Sequence, residues 1–247
     1  MVYKSLRLLV VLLMASSLSG CFYWWRAYQT YEQLGDFDEY FKIEFADDFK
    51  VSFKEPRLYS DDIVNLAHLR PSEERLLESG EQRWRYIFRK INQQGDFSLP
   101  EVEFYCQLDI NQHDKVAAII FSPLFLHIAP PEFLALSFRS LGAGKIDKGN
   151  RQLKVSPDVL PKTGTALPLK ADVVAKLGKP ISIEVSEQQE AYLYHFKLEA
   201  YEVDKGYEKS TLSVVKLWFD KQSHELSKMS GQFAGLKISI NYQNYKL

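Results

Sequence analysis

The stretch Leu212–Leu226, LSVVKLWFDKQSHEL, decides the fold that this sequence predicts. Apolar residues alternate with others up to Phe219, and a polar turn then leads into a second apolar run, which is typical of two hairpin-connected strands. A weaker copy lies upstream at Val102–Val116, VEFYCQLDINQHDKV. The copies share an Asp and a His at a spacing of 111 residues: Asp109 and His113, then Asp220 and His224. A repeated stretch of this kind predicts two copies of one structural unit.

The segments before these stretches match as well, at a spacing of 110 residues. Asp62-Ile63-Val64 leads to Arg70-Pro71, and Asp172-Val173-Val174 leads to Lys179-Pro180. Both segments place apolar residues at i, i+1 and i+4, which is the spacing of a helix with one buried stripe. Gly178 and Pro180 predict the end of the second helix, because Gly accepts a left-handed cap and Pro cannot continue the helix.

Alternating aromatic residues predict a strand between the helix and the hairpin in each copy. These runs are Trp84–Phe88 and Tyr192–Phe196, at a spacing of 108 residues, and the closing strands are expected at Val116–Phe121 and Leu226–Phe233. Each copy thus follows the order helix, strand, strand, strand. The predicted fold class is α+β, with two repeated units that each pack helices on a three- to four-stranded antiparallel sheet, and the two sheets could align into one surface.

Further elements complete the predicted domain organisation: signal peptide and lipobox at 1–21, aromatic tether at 22–35, repeat unit 1 at 36–141, linker at 142–168 and repeat unit 2 at 169–247. A hairpin is expected at Phe41–Phe53 and a final strand at Leu236–Tyr242. Helices are expected from Ser72 to Ser79, where Ser72 is the N-cap, and from Glu132 to Leu141. The second unit lacks a counterpart of the first of these helices, since Ile181–Val185 has an extended pattern.

The N-terminus has the features of a targeting segment. Lys4 and Arg7 precede the apolar run Leu8–Ala15, which is too short to span the roughly 30 Å hydrocarbon core of a bilayer. Leu18-Ser19-Gly20-Cys21 resembles the lipobox of bacterial lipoprotein precursors, and this resemblance implies cleavage before Cys21 and lipidation of its thiol and amino group. An ordinary signal peptide or an uncleaved anchor is the alternative. Phe22 takes the position at which Asp would resemble an inner-membrane retention signal, so we expect an outer-membrane location on the periplasmic side.

The tether after this cysteine, FYWWRAYQTYEQL at 22–34, is rich in aromatic residues. Trp24 and Trp25 are candidate binding residues, because such rings sit at the headgroup level of membranes. The alternative is a helix that packs these rings on the body of the protein.

Composition and motifs argue against several functions. The balance of 31 basic and 32 acidic residues argues against a nucleic-acid partner. Cys106 would be the one free thiol: a nucleophile, a partner in an intermolecular disulfide, or a small apolar side chain in a strand. His113 and His224 suggest either a metal site between the units or solvated turns. Lys162-Thr163-Gly164 resembles a penicillin-binding signature, but the required Ser and Lys lie within a strand pattern downstream. We therefore predict a non-enzyme without metal or cofactor.

A basic cluster on the first aromatic strand is the other candidate site. Its members are Arg83, Arg85, Arg89 and Lys90. Arg83 and Arg85 are the candidate binding residues for an acidic protein partner or for lipid headgroups. The alternative is a solvated strand face, since alternation places most of these cations opposite Trp84 and Phe88.

Residues 170–233 resemble the small outer-membrane lipoproteins of the SmpA/BamE type, and residues 60–121 form a weaker copy. The resemblance lies in a helix ending Leu177-Gly178-Lys179-Pro180, an aromatic strand and a strand ending Phe219-Asp220. Tandem units of this kind are also similar to the secreted β-lactamase inhibitory protein, which binds an enzyme on its concave sheet. The resemblance implies a lipid-anchored binding or scaffold protein that assists outer-membrane protein assembly or envelope integrity. The alternative function is inhibition of a periplasmic enzyme.

Overall fold

One curled antiparallel sheet runs through both halves of the chain. The computed structural model describes residues 22–147, 152–156, 160–200, 202–233 and 236–246. The helices are α1 (residues 22–33), α2 (Phe37–Tyr40), α3 (Ser60–Ala67), α4 (Pro123–Leu126), α5 (Pro131–Ser140) and α6 (Lys170–Leu177). The strands of the first half are β1 (Phe41–Phe45), β2 (Phe49–Phe53), β3 (Glu73–Leu76), β4 (Gln82–Ile91), β5 (Glu103–Ile110) and β6 (Val116–Phe121). The later strands are β7 (Lys145–Asp147), β8 (Gln152–Lys154), β9 (Ser182–Val185), β10 (Gln189–Leu198), β11 (Leu212–Asp220), β12 (Leu226–Phe233) and β13 (Leu236–Asn241).

The strand order of the sheet is β1-β2-β6-β5-β4-β10-β11-β12-β13. Strand β3 pairs with the first half of β4, and β9 pairs with the first half of β10. Strands β7 and β8 form a separate hairpin. The main sheet contains eleven strands in all, so the two halves of the chain contribute to a single layer.

The two halves meet where β4 pairs with β10. Each strand uses its last four residues, and Arg89 lies opposite Lys197 at the centre of the contact. A backbone hydrogen bond from Glu199 N to Ile87 O, at 2.9 Å, extends the pairing by one step. Because the same segment of each strand forms the contact, the junction has a local two-fold character.

A single apolar core lies on one side of this sheet. The ring of Phe104 stacks on Phe88 with centroids 4.9 Å apart, and it meets the edges of Phe196 and Phe233 at 5.0 and 5.4 Å. Phe88 and Phe104 come from the first half, and Phe196 and Phe233 from the second. The halves therefore share their core as well as their sheet.

Helix α5 packs against both ends of the curled sheet. Phe138 lies against Phe49 of β2 with centroids 5.9 Å apart, and Phe133 lies against Tyr242, just after β13, at 5.3 Å. The Ser137 and Tyr245 hydroxyls are 3.1 Å apart. These contacts connect the first strands to the last.

The helix and strand predictions based on periodicity are largely confirmed. Helices α3, α5 and α6, the β1–β2 hairpin and the strands β4 to β6 and β10 to β13 lie where the patterns indicate, and residues 182–185 are extended as predicted. The helix expected from Ser72 to Ser79 is wrong, because these residues include strand β3. Ser72 does not cap a helix: its N–H donates to Arg85 O at 2.7 Å, and its hydroxyl accepts from Ile87 N at 2.8 Å.

The segment predicted as a linker, 142–168, contains ordered contacts. Gly142 lies so close to the end of α1 that a β carbon would be 2.0 Å from Leu34 O. Thr163 forms a parallel bridge with Lys246, and Leu167 is buried in the core. The residues of this segment at 142, 163 and 167 thus contact the packed body.

Candidate functional site

The side of the sheet opposite the core, here called the open face, carries Arg83 and Arg85. Alternation along β4 produces this arrangement, since Trp84, Tyr86 and Phe88 are buried in the core and the intervening side chains point away from it. Both arginines are partly exposed. The predicted binding residues therefore lie side by side on an accessible surface.

Asp109 of β5 organises the charges of the open face. Its carboxylate accepts from Arg83 Nε at 3.2 Å and from Gln107 Nε2 at 2.9 Å, and Lys50 Nζ lies 3.6 Å away. Gln107 Oε1 in turn accepts from Arg85 Nε at 2.9 Å. Two cations flank this carboxylate, and Arg85 is bonded to the neighbouring Gln107, so both guanidinium groups are held in place.

Aromatic and apolar groups support this network. The Arg85 guanidinium lies over the Tyr105 ring, 4.8 Å from its centroid. Ala118 and Ile120, which lie opposite Asp109 and Gln107 in the sheet, are only 2% and 5% exposed. Arginine and tyrosine around an apolar floor are common at the centres of protein interfaces.

Lys90 does not belong to this surface, which corrects the prediction of an exposed four-residue cluster. It follows Phe88 on the core side of β4, and its ammonium donates to Leu177 O at 2.6 Å and to Lys179 O at 2.7 Å. Burial lowers the pKa of Lys90. The group thus binds the C-terminal end of helix α6, where carbonyl oxygens lack partners within the helix.

Arg89 lies at the junction of the two halves. It forms ion pairs with Glu101 and Glu199, and its guanidinium lies 4.2 Å from the Phe97 ring centroid. The hydrogen bond with Glu199 raises the pKa of Arg89. These contacts link the loop after β4 to the chain leaving β10.

Two polar grooves flank β4. One of about 280 Å³ borders Lys50, Arg83 and Asp109 on the open face. The other, of about 590 Å³, lies among α1, α3 and β4, and its lining includes the ion pair of Arg26 and Asp62. Within the described ranges, no three His, Cys, Asp or Glu side chains converge in a way that could hold a metal ion.

Helix α1 presents a second candidate surface, here called the aromatic face: Phe22, Trp24, Trp25 and Tyr28. The exposed fractions of these side chains are 56%, 53%, 57% and 47%, respectively. Of the two alternatives for Trp24 and Trp25, the one that packs the rings on the body is therefore not the arrangement observed. Within this face, Trp25 and Tyr28 form a stacked pair with ring centroids 6.3 Å apart.

Other residues of α1 are tied to the body. Arg26 donates to Asp62 through two of its three guanidinium nitrogens, Nε and Nη2, the Nε contact being 2.7 Å. The Tyr31 hydroxyl donates to Gly144 O at 2.9 Å, and Gln33 Nε2 donates to Glu55 O at 3.1 Å. These contacts join residues distant in sequence, so local patterns give no signal for them.

The predicted lipidation residue, Cys21, lies outside the described residues, as does the leader before it. Described residues begin directly after it, with Phe22 already helical. In the part of the chain that the structure describes, no helix has the length and apolar character needed to cross a bilayer.

Cys106, His113 and His224 occupy ordinary structural environments. Burial raises the pKa of the Cys106 thiol to about 12, which disfavours the thiolate that a nucleophile requires. His113 and His224 are exposed in the turns after β5 and β11. Asn111 and Asp220 hold these turns by accepting hydrogen bonds from backbone N–H groups.

Comparisons with protein-family models, with curated proteins and with solved structures found no match.

Proposed function

We propose that this protein is a lipid-anchored, non-catalytic binding or scaffold module on the periplasmic side of the outer membrane. In this role it assists outer-membrane protein assembly or envelope integrity, as the resemblance to SmpA/BamE-type lipoproteins implies. The single observation that carries the binding role is the open face, where Asp109, Gln107 and Tyr105 hold Arg83 and Arg85 in fixed positions. Groups ordered before binding lose less entropy when a partner docks.

The membrane location rests on the sequence Leu18-Ser19-Gly20-Cys21 and on the position of helix α1. Helix α1 starts one residue after Cys21 and is tied to the body through Arg26, Tyr31 and Gln33. A lipid on Cys21 would thus hold the folded body close to the membrane without a flexible linker. Several acyl chains anchor firmly, since each buried CH₂ adds about 0.8 kcal/mol.

We also infer that the two halves arose by duplication of one unit. This is supported by the shared order of helix, short strand and three longer strands: α3-β3-β4-β5-β6 and α6-β9-β10-β11-β12. Hydrogen bonds at corresponding positions support it further: Ser60 N to Asp114 O and Lys170 N to His224 O; Val116 N to Leu58 O and Leu226 N to Pro168 O; Ser72 N to Arg85 O and Ile181 N to Leu193 O; Tyr86 Oη to Leu69 O and Tyr194 Oη to Gly178 O. The two proposed copies contribute their strands to one long sheet rather than to two separate sheets.

The charge of the open face defines the partner. Lys50, Arg83 and Arg85 lie together on the open face, with Asp109 and Glu73 beside them, so the proposed partner presents carboxylates to these two arginines. Partly exposed arginines with aromatic support form strong contacts with carboxylates, because the guanidinium donates two parallel hydrogen bonds.

The test is affinity purification of the lipidated protein from detergent-solubilised envelopes after mild cross-linking. We expect recovery of a specific envelope protein, and a loss of at least about tenfold when Arg83→Glu and Arg85→Glu are combined, as truncation of central interface residues predicts. The matched control is Lys216→Glu with Lys228→Glu, which makes the same charge change beside Trp218 on the other half of the sheet.

Three outcomes are informative. Loss only in the arginine variant supports the proposal. Equal loss in both variants points to unspecific charge attraction, and recovery of no envelope partner contradicts the binding role. Thermal unfolding of both variants checks that the fold is intact, and Arg83→Gln with Arg85→Gln gives a milder test.

The curled, uncovered sheet favours one second candidate, inhibition of a periplasmic enzyme. The sheet face would then act on an enzyme in the way that the similar tandem inhibitor does. Inhibition of cell-wall hydrolases by the unlipidated mature chain would support this candidate, and unchanged hydrolase rates at excess inhibitor would exclude it for those enzymes.

A further inference from the structure

The aromatic face of α1 exposes four large aromatic side chains to solvent. Helical geometry at 100° per residue places Trp24, Trp25 and Tyr28 within a sector of about 100° on one side of α1, and places Arg26 and Gln33 on the other. Phe22 is the first residue of the helix and is exposed there. The first group is exposed and the second contacts the body. The helix is therefore amphipathic, with its aromatic side unpartnered in the described residues.

Position and composition indicate what covers this side. Phe22 is joined by one peptide bond to Cys21, the predicted lipid attachment point, and Trp25 lies only about 4.5 Å farther along the helix axis. Trp and Tyr are the residues enriched at membrane–water interfaces, where their apolar rings and polar groups are both accommodated. A second copy of the chain is a poorer fit, because a stable interface uses roughly 20–30 residues from each partner.

We propose that the aromatic face of α1 is a membrane-binding surface that seats the folded body on the lipid–water interface, with the two tryptophans at headgroup depth. This deepens the proposed function and rests on it for the lipid at Cys21. The contacts of Arg26 and Gln33 fix α1 to the body, so seating the helix also sets the orientation of the open face relative to the membrane.

Local charge predicts which lipids bind. The one basic residue of α1, Arg26, is paired with Asp62, and four acidic residues lie in the helix and just after it: Glu32, Asp36, Asp38 and Glu39. Attraction to anionic headgroups therefore contributes nothing here, and binding should depend on ring burial. We expect zwitterionic vesicles to suffice, with little effect of salt or of added anionic lipid.

The experiment uses the mature chain, residues 21–247, carrying Cys21→Ser so that no acyl chain anchors it. Sedimentation with phosphatidylcholine vesicles measures binding, and tryptophan quenching by brominated lipids measures depth. We expect binding, with the strongest quenching by bromines near the headgroups. Replacing both Trp24 and Trp25 by Gln should lower the partition coefficient by about tenfold or more.

Two matched variants sharpen the result. Leu99→Gln changes a side chain that is 93% exposed on the loop between β4 and β5, and it should bind vesicles as the wild type does. Trp24→Phe with Trp25→Phe keeps the apolar surface, so it should keep most of the binding while it loses the quenching signal. Circular dichroism checks that helix content is unchanged in all variants.

Several results would overturn the inference. These are no vesicle binding by the unlipidated chain, full binding by the double Gln variant, or binding that requires anionic lipid and disappears in salt. Dimerisation without lipid that the double Gln variant abolishes would identify a second copy as the occupant. Acylation of Cys21 in cells is a separate measurement, so a failure of the lipid anchor is distinguishable from a failure of the aromatic face.

Discussion

Helices α3 and α6 hold corresponding places in the two halves, yet their acidic residues lie in different environments. Asp62 of α3 has a side chain only 2% exposed, bound by Arg26 and by Tyr59 N, whereas Asp172 of α6 is exposed. The backbone hydrogen bonds at the two helix ends are alike. The difference teaches that similar backbone hydrogen bonds can carry different side-chain environments, since only α3 contacts helix α1 through its aspartate.

The largest expected effect concerns the core that the halves share. Phe104→Ala should lower the free energy of unfolding by about 3–5 kcal/mol, because it leaves a cavity among rings from both halves. Urea unfolding followed by fluorescence and by circular dichroism measures this change.

The control is Phe97→Ala, since the Phe97 side chain is 45% exposed and should contribute less than about 1 kcal/mol. Variants that keep only Trp84 or only Trp218 report on the first or the second half. We expect coincident transitions; a clear separation of the two would show that the halves unfold independently.

The pair of aspartates tests the difference between the two helices. Asp62→Ala should destabilise the protein by about 2–3 kcal/mol, because it removes a buried partner of Arg26 and the acceptor for Tyr59 N. Asp172→Ala should cost less than about 0.5 kcal/mol at its exposed site. Thermal unfolding of both variants makes the comparison, and equal losses would contradict the special role of Asp62.

The helix C-caps offer a reciprocal exchange. Gly178 has φ +69° and ψ −165°, a conformation that side chains rarely adopt, and a β carbon there would lie 3.2 Å from Lys90 Nζ. Gly178→His should therefore cost about 2 kcal/mol. His68 has the left-handed values φ 57° and ψ 28°, which Gly adopts more easily than His, and its ring stacks on Tyr207. In His68→Gly the relief of backbone strain offsets the loss of this stacking, so stability should change by less than about 1 kcal/mol. Tolerance of Gly178→His in denaturant titrations would rule out this strain.

The smallest expected effect concerns a hydrogen bond present in both halves. The Tyr194 hydroxyl donates to Gly178 O at 3.2 Å and the Tyr86 hydroxyl to Leu69 O at 3.5 Å. Tyr194→Phe should cost about 1 kcal/mol and Tyr86→Phe about 0.5 kcal/mol, in the order of these distances. A reversed order in denaturant titrations would contradict this comparison.

The same tyrosines predict the alkaline limit of stability. Burial raises the pKa values of Tyr86, Tyr194 and Tyr242. Their contribution is therefore fully present below the unfolded pKa of about 10 and is lost as pH rises above it. In the Tyr194→Phe variant, the free energy of unfolding should fall less steeply above pH 10 than in the wild type. An unchanged slope would show that Tyr194 ionises as freely in the folded state as in the unfolded state.

Periodicity predicted those elements whose pattern is local. The stripe of α3 and the alternation of β4 and β10 follow from residues within each segment. Other features depend on contacts between segments that are distant in sequence, so no local pattern predicts them. These are the pairing of β4 with β10, the Arg26–Asp62 ion pair and the hydrogen bonds of the buried Lys90. Asp109 could have been found from its alternation with Gln107 on the polar side of β5, but its contact with Lys50 could not.

Residue identity also misled the alignment of the two halves. The sequence matched Asp109 with Asp220 at a spacing of 111, but the register of the sheet pairs Ile110 with Gln82 and Phe219 with Glu190, which corresponds to a spacing of 109. The turn in the second half is one residue longer, as the bonds from Asn111 N to Lys115 O and from Asp220 N to Glu225 O indicate. Identical residues in exposed turns are thus a weaker guide to the alignment of the two halves than the cross-strand partners. The β-bulges also guide this alignment better; they lie at Asp109/Ile110 in β5 and at Trp218/Phe219 in β11.

The sequence predicts the aromatic helix but leaves its environment open, since the same rings suit a core or an interface. Only the contacts of Arg26 and Gln33 determine which side of α1 faces the body. The candidate site therefore combines a surface predicted from alternation, at Arg83 and Arg85, with one that required the three-dimensional packing.

The lipid-anchored role is tested most directly by mass spectrometry of the N-terminal peptide of the protein purified from bacterial envelopes. The proposal predicts a mature chain that starts at Cys21 and carries thioether lipid and an N-acyl group, recovered with the outer-membrane fraction. A chain that retains residues 1–20, or one that carries an unmodified Cys21 in the soluble fraction, would contradict it.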